Sequence, residues 1–236
     1  MKKTILLLLL VGSIIPGGCD TLAQLPGVNT GTGQPGLSNA DVVNGLRQAL
    51  EIGAQNSSNI LSQVNGYFGN AAVKILMPPE AQKVEQTLRN LGLGSIVDKA
   101  TLSMNRAAED AAKSAAPIFI NAIKQMSIQD AMQILSGGRH AATDYLKKTT
   151  TGALTTAFQP VIQKSLQQVD ATKYWSDVFS TYNKFSLKKV NPDLTAYVTE
   201  KALDGLFYNI SLEEAKIRTD PAARATDLLK KVFAKQ

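Results

Sequence analysis

The chain has 236 residues, of which 44% are hydrophobic and 19% charged, so it has enough apolar side chains for one sizeable core. Its formal net charge is +6, but acidic residues interrupt the basic ones and no basic cluster contains aromatic side chains, which argues against a nucleic-acid-binding protein. One cysteine and one histidine exclude an internal disulfide and a zinc site with several Cys or His ligands, and we expect no metal and no cofactor.

The N-terminus has the form of a secretory signal. Lys2 and Lys3 precede an apolar run from Ile5 to Ile15, about half of the ~20 residues that span a bilayer. The small residues Gly17-Gly18 before Cys19 resemble a bacterial lipobox, from which Pro16 departs; ordinary signal cleavage near Gly18 is the alternative. We predict lipidation of Cys19, since several acyl chains attach a protein stably to a membrane.

Three segments follow from this N-terminus. They are a signal peptide at 1–18, a lipid-anchored tether at 19–37 and a folded domain at 38–236. The tether is rich in Gly, Pro, Thr and Asn and shows no helical or strand period, so its reach is about 23 Å. The sequence therefore predicts an exported, periplasm-facing membrane lipoprotein of the bacterial cell envelope.

The domain at 38–236 is predicted to be all-α, a single compact unit of about nine to eleven helices. Capping boxes, a Ser followed three residues later by an acid, predict helix starts at Ser38, Ser95, Ser127 and Ser211. Apolar residues recur between them at helical spacing. One short extended segment is possible near 72–77. The alanine-rich stretch 105–116 predicts a central helix that its neighbours approach closely.

One set of candidate site residues lies on this alanine-rich helix. Asn105, Arg106 and Glu109 fall on adjacent turns, and Arg106–Asp110 and Glu109–Lys113 have the i,i+4 spacing of ion pairs. The pattern allows three interpretations: surface pairs worth about 0.2–0.5 kcal/mol each, a buried polar seam that caps other backbone segments, or a ligand-binding site.

A second set lies near the C-terminus. Glu200 and Asp204 share one helix face, with Lys201 between them. Two such carboxylates could bind a cation or act as an acid/base pair, but a solvated face is favoured, because catalytic carboxylates face each other across a cleft. Glu214 fits the capping box that starts at Ser211, and Arg218 can pair with it at i,i+4.

The third set surrounds the only histidine, in "SGGRHAATDYL". His140 and Asp144 have i,i+4 spacing, and an Asp can orient a His for base catalysis if a nucleophile lies in reach. The simpler interpretation is that Gly137 ends one helix and His140 lies in the first turn of the next. We predict that Asp144 makes a structural hydrogen bond to a neighbouring helix or cap, with Tyr145 as a second polar group beside it.

Long segments of the chain resemble one family. They are "GLRQALEIGAQNSS", "GYFGNAAVKILMPPE", "MNRAAEDAAKSAAPIFINAIKQMSIQDAMQILSGG", "AATDYLKKTT" and "YVTEKALDGLFYNISLEEAKIRTDPAARATDLLKKVF". Together they are similar to the bacterial domain of unknown function number 4197, from about Gly45 to Phe233. The resemblance implies an exported helical envelope protein and no established activity, cofactor or catalytic residue. It includes Asn105, Arg106, Ala107, Ala108, Glu109, Asp130, Thr143, Asp144, Tyr145, Glu200, Asp204, Glu214 and Arg218, but not His140.

The leading functional hypothesis is a lipid-anchored envelope protein with a binding or structural role. The sequence has no G-x-S-x-G, P-loop or H-E-x-x-H motif, which favours this role over an enzyme. Its membrane contact would be the lipid anchor, and its protein or ligand partner is left open. One alternative is a carboxylate-dependent hydrolase of envelope glycans, and another is a carrier of an apolar ligand.

Overall fold

Helices make up almost all regular structure in the residues that the computed structural model describes, 38–92, 94–168 and 193–233. These residues belong to one compact unit, Leu37–Gln236, and contain no strand, so the all-α prediction is confirmed. The helices are α1 (Asn39–Ser62), α2 (Gln82–Asn90), α3 (Gly94–Ala112), α4 (Ala115–Gln125), α5 (Ile128–Ser136), α6 (Ala141–Gln167), α7 (Leu194–Thr219) and α8 (Asp227–Val232), with 3₁₀ turns at Pro79–Ala81 and Pro221–Ala223.

The predicted number of helices, nine to eleven, is too high for the described residues, which form eight α-helices. One reason is the capping box at Ser211, which we predicted to start a helix. Ser211 instead lies inside α7 and donates its hydroxyl to the Tyr208 carbonyl, at 2.7 Å. A Ser side chain can bond an earlier turn of its own helix as readily as it caps a new one.

Two other capping boxes form as predicted, at the starts of α1 and α5. The Asp41 backbone N–H donates to the Ser38 hydroxyl at 3.1 Å, and the Ser38 N–H donates back to the Asp41 carboxylate at 3.1 Å. Ser127 and Asp130 make the same reciprocal pair. The serine hydrogen bonds lower the pKa of both aspartates, since they favour the charged carboxylate.

The alanine-rich helix α3 lies at the centre of the domain, in contact with α1, α6 and α7. Four alanines form much of its core face, so these neighbours approach closely. Larger side chains fill the space around it, among them Phe119 and Phe207, whose rings meet edge to face at 5.9 Å. The fully buried residues of α3 are Met104, Asn105, Ala107, Ala108, Ala111 and Ala112.

Cys19, the signal peptide at 1–18 and the tether at 19–37 lie outside the described residues. None of the described helices combines the length and apolar character that a membrane-spanning helix needs.

Candidate functional site

Glu109, on α3, is buried, and its carboxylate is fully engaged by hydrogen-bond donors. One oxygen accepts the backbone N–H groups of Tyr67 and Phe68, both at 3.1 Å, and the other accepts the Arg106 guanidinium. The buried polar seam is thus the interpretation that the structure supports. The i,i+4 pairs are wrong: Arg106 pairs with Glu109 at i,i+3, and Asp110 pairs with Lys113 at 2.8 Å on the surface.

Asn105, also on α3, is buried beside the segment that we predicted to be extended. Its amide accepts the Ile75 N–H and donates to the Ile75 carbonyl, both at 2.8 Å. It also donates to the Thr101 carbonyl one helical turn earlier, at 2.7 Å. The predicted segment near 72–77 forms no strand: it begins in a turn and continues without regular structure. The Asn105 side chain satisfies both backbone groups of Ile75 there.

These bonds attach the loop at 63–78, the pinned loop, to the centre of the domain. Asn65 accepts a hydrogen bond from the Arg106 guanidinium at 2.8 Å and has a positive φ of 69°, a conformation that Asn adopts more readily than most residues.

Tyr67 attaches the same loop to α7. Its buried hydroxyl donates to the Ala202 carbonyl at 2.6 Å. A Cβ on Gly205 would lie 2.7 Å from the Tyr67 ring, so this approach requires glycine. Burial, and then the Glu109 charge, raise the Tyr67 pKa.

Glu214, on α7, is the second buried carboxylate, and it caps the start of α6. It accepts the backbone N–H groups of Ala142 at 3.0 Å and Thr143 at 2.9 Å, and the Thr143 hydroxyl at 2.7 Å. The residue at the N-cap position, His140, makes no side-chain capping bond. The predicted capping box of Glu214 with Ser211 is therefore wrong, since the carboxylate caps a different helix.

Arg218 extends this cap to a third helix. Its guanidinium pairs with Glu214 at 2.9 Å, as the i,i+4 spacing predicted, and donates to the Ile134 carbonyl near the end of α5 at 2.9 Å. One Glu–Arg pair on α7 thereby satisfies the start of α6 and the end of α5, two helix termini with unsatisfied backbone groups.

The residues around the histidine have a smaller role than we predicted. His140 and Asp144 are both exposed, and the Asp144 carboxylate has no hydrogen-bond partner among the described residues, so its predicted structural bond is not found there. The neighbouring Thr143 makes that bond instead. Tyr145 packs in part against the core, and burial raises its pKa.

Glu200 and Asp204 lie on an exposed face of α7, as the solvated interpretation proposed. Lys201 pairs with Asp204 at 3.0 Å and with Glu200 at 3.6 Å. Both carboxylates line an open groove of about 300 Å³ between α6 and α7, together with Lys147 and Phe207. Among the described residues, no three His, Cys, Asp or Glu side chains are arranged to hold a metal ion.

A larger open cleft, of about 760 Å³, lies where α5 ends and the chain leaves α7. Its lining includes three arginines, Arg139, Arg218 and Arg224. Only Arg218 was a candidate site residue from the sequence. Arg224 is 8% exposed and donates to the carbonyls of Ile217 and Arg218, at 3.0 and 3.1 Å. Arg139 and Arg224 could have been found from the sequence by their positions beside predicted helix ends. Guanidinium groups at such positions can bind the free carbonyls of the last helical turn.

A family model described as "Protein of unknown function (DUF4197)" matches residues 36–234, which include every described residue. No curated protein and no solved structure matches the chain.

Proposed function

The chain belongs to the DUF4197 family of proteins of unknown function, and we propose that it is an exported, lipid-anchored envelope protein whose helical domain binds a partner or ligand. The proposal has two parts, the anchor at Cys19 and the binding role of the domain. Each part depends on different residues and has its own experiment.

The anchor is supported by the order of features before the domain. A basic start, a short apolar run and Gly17-Gly18-Cys19 are followed by a Gly- and Pro-rich tether. The first helix begins at Asn39, directly after this tether, with the cap and capping box of an independent helix start. Acyl chains on Cys19 would then hold the domain about one tether length from the membrane surface.

The binding role is supported by one observation, which is that both buried carboxylates are occupied by structural hydrogen bonds. Glu109 and Glu214 each accept two adjacent backbone N–H groups and a guanidinium, which leaves them committed to structure. A glycan hydrolase needs two carboxyl groups facing each other across a substrate cleft. Glu200 and Asp204 lie one turn apart on a single helix face. This arrangement favours binding over the hydrolase that the sequence left open.

The carrier of an apolar ligand is also less well supported. Such a carrier encloses its ligand in an apolar cavity. The clefts described above open to solvent, and each has charged residues in its lining.

The anchor is tested by the intact mass of the protein purified from the membrane fraction. We expect a chain that starts at Cys19 and carries the added mass of acyl chains. The Cys19→Ala variant should lose this mass and leave the membrane fraction as mature protein or remain as unprocessed precursor. A soluble wild-type protein with an unmodified Cys19 would contradict the anchor.

The binding role is tested against the hydrolase with isolated envelope glycan. Purified wild-type protein and the Glu200→Gln/Asp204→Asn double variant should release equal, background amounts of soluble glycan fragments. Release by the wild type that the double variant abolishes would overturn this part of the proposal. Glu51→Gln, on α1, removes a carboxylate that does not line the groove and is the control for loss of a surface charge.

A further inference from the structure

The cleft with three arginines, which we call the arginine cleft, combines these basic side chains with two glycines and an apolar side. It is lined by Arg139, Arg218 and Arg224, by Gly137 and Gly138, and by an apolar side formed by Leu135, Pro221 and Phe233. Its volume of about 760 Å³ lies within the range of small-molecule sites, about 300–1,000 Å³.

The positive charge of this cleft is only partly balanced by carboxylates. Glu214 compensates Arg218, but within the described residues the buried Arg224 donates to backbone carbonyls alone and the exposed Arg139 forms no ion pair. The nearby Asp220 does not line the cleft, and it accepts the Ala222 N–H at 2.8 Å. A buried guanidinium without a carboxylate is costly. An anion in the cleft would lower that cost.

The start of α6 does not itself offer an anion site here. A helix N-terminus attracts anions through its unsatisfied N–H groups, but Glu214 already accepts those of Ala142 and Thr143. Recognition would therefore come from the exposed Arg139 on the α5–α6 connection. The guanidinium groups of Arg218 and Arg224, which also hold structural hydrogen bonds, add positive charge to the same cleft.

We propose that the arginine cleft binds a phosphate-bearing ligand. Guanidinium groups bind phosphate oxygens through paired, charge-assisted hydrogen bonds. A phosphate can pair directly with the exposed Arg139 while Arg218 and Arg224 add positive charge beside it, and the apolar side accommodates a hydrocarbon portion. This inference deepens the binding role proposed above and is independent of the lipid anchor. The phosphate could belong to a soluble molecule or to a phospholipid headgroup.

A substitution at Gly138 can test this proposal. A Cβ built at Gly138 meets nothing within 4 Å, and its φ lies outside the left-handed region, so a side chain there extends into open space at the cleft without disturbing the fold. Glu at this position adds a negative charge beside the arginines. Gly152, on the exposed surface of α6, also has nothing within 4 Å of its Cβ, so Gly152→Glu is a matched control for the same change in charge.

The experiment is equilibrium binding to the full-length protein in a non-ionic detergent, measured by calorimetry. The probes are inorganic phosphate and monomeric dihexanoyl phosphatidic acid. We expect Gly138→Glu to weaken the affinity for the bound probe by about tenfold or more, because a like charge is placed beside the anion. Gly152→Glu should bind as the wild type does. Arg139→Gln, an exposed change, should also weaken binding and serves if Gly138→Glu does not fold.

The two probes distinguish the source of the phosphate. Similar affinity for both supports a soluble phosphorylated ligand, and a clear preference for the short lipid supports a phospholipid headgroup. The proposal is overturned if neither probe binds the wild type, or if Gly138→Glu and Arg139→Gln bind as tightly as the wild type. Neither of these outcomes affects the intact mass that tests the anchor at Cys19, so failure of the cleft is distinguishable from failure of the anchor.

Discussion

The pinned loop and the start of α6 are held by the same chemical device. In each case a buried Glu on a long helix accepts two consecutive backbone N–H groups and pairs with an Arg about one turn away. The pairs differ in their surroundings. The Arg106 side chain is 35% exposed, whereas that of Arg218 is 12% exposed and also bonds a carbonyl of α5. Glu109 thus holds one loop, while Glu214 holds two helix termini.

The two charges are buried for the same reason, which is that each satisfies backbone N–H groups. Neither the loop at Tyr67 nor the start of α6 has a side chain of its own that caps these N–H groups. A carboxylate on a packed helix supplies the missing acceptor, and an unmade backbone bond in the core would be costly. Each carboxylate is buried because it satisfies backbone groups that have no other acceptor. We expect the pair that holds more helix termini to contribute more to the free energy of unfolding.

Glu214→Ala should produce the largest loss of stability. It leaves two N–H groups and the Thr143 hydroxyl without an acceptor and Arg218 without its counterion. Removing one partner of a buried ion pair costs about 3–5 kcal/mol. Thermal and urea unfolding measure the change. Glu200→Ala, on the same helix, is the control, since the exposed Glu200 pairs only loosely with Lys201 and should cost about 1 kcal/mol or less. Equal losses would end the distinction between the two residues.

Glu109→Ala should cost less, about 2–3 kcal/mol, because two backbone donors lose their acceptor while Arg106 can turn to solvent. Its effect should be local. Hydrogen exchange should show faster exchange of the Tyr67 and Phe68 amides, with the amides of α6 unchanged. The surface variant Asp110→Ala should leave exchange as in the wild type. A loss larger than that of Glu214→Ala would reverse the comparison.

Tyr67→Phe tests the pinned loop at high pH. Removal of the bond to Ala202 should cost about 1 kcal/mol at neutral pH. Because the Tyr67 pKa is raised in the folded state, folding favours the neutral phenol. That contribution is complete below the ordinary tyrosine value of about 10 and is lost as pH rises above it. The wild type should therefore lose stability above about pH 10 more steeply than Tyr67→Phe. Parallel curves in alkaline unfolding would contradict this.

His140→Ala and Asp144→Ala should have the smallest effects, each within about 0.5 kcal/mol, since both side chains are exposed and the cap comes from Glu214. Thermal unfolding of the two variants beside Thr143→Ala gives the measurement. Thr143→Ala removes a buried bond to Glu214 and should be the least stable of the three. A large loss from Asp144→Ala alone would restore the role first predicted for it.

The sequence predicted the helical class and the family, and it raised the central seam as one of three interpretations, because each depends on local patterns. Six alanines around Arg106 and Glu109 indicated a crowded helix, on which a charge must find buried partners. The role of Glu214 could not be predicted in this way, since its donors lie 71 and 72 residues earlier. The spacing of Ser211 and Glu214 instead indicated a capping box, which assigned the same carboxylate to another helix start. The one available signal was an α6 start without a Ser, Thr, Asp or Asn at its cap.

The Glu214–Arg218 pair also has a consequence for the order of folding. Its bonds join residues separated by 71 to 84 positions, and the Tyr67 hydroxyl reaches a carbonyl 135 positions later. Contacts of such long range form late, since closing a long loop costs entropy before the contact forms. We therefore expect the corner between α5 and α6 to close only when α7 docks. The same helix adds the Tyr67–Ala202 bond to the pinned loop, which α3 already holds.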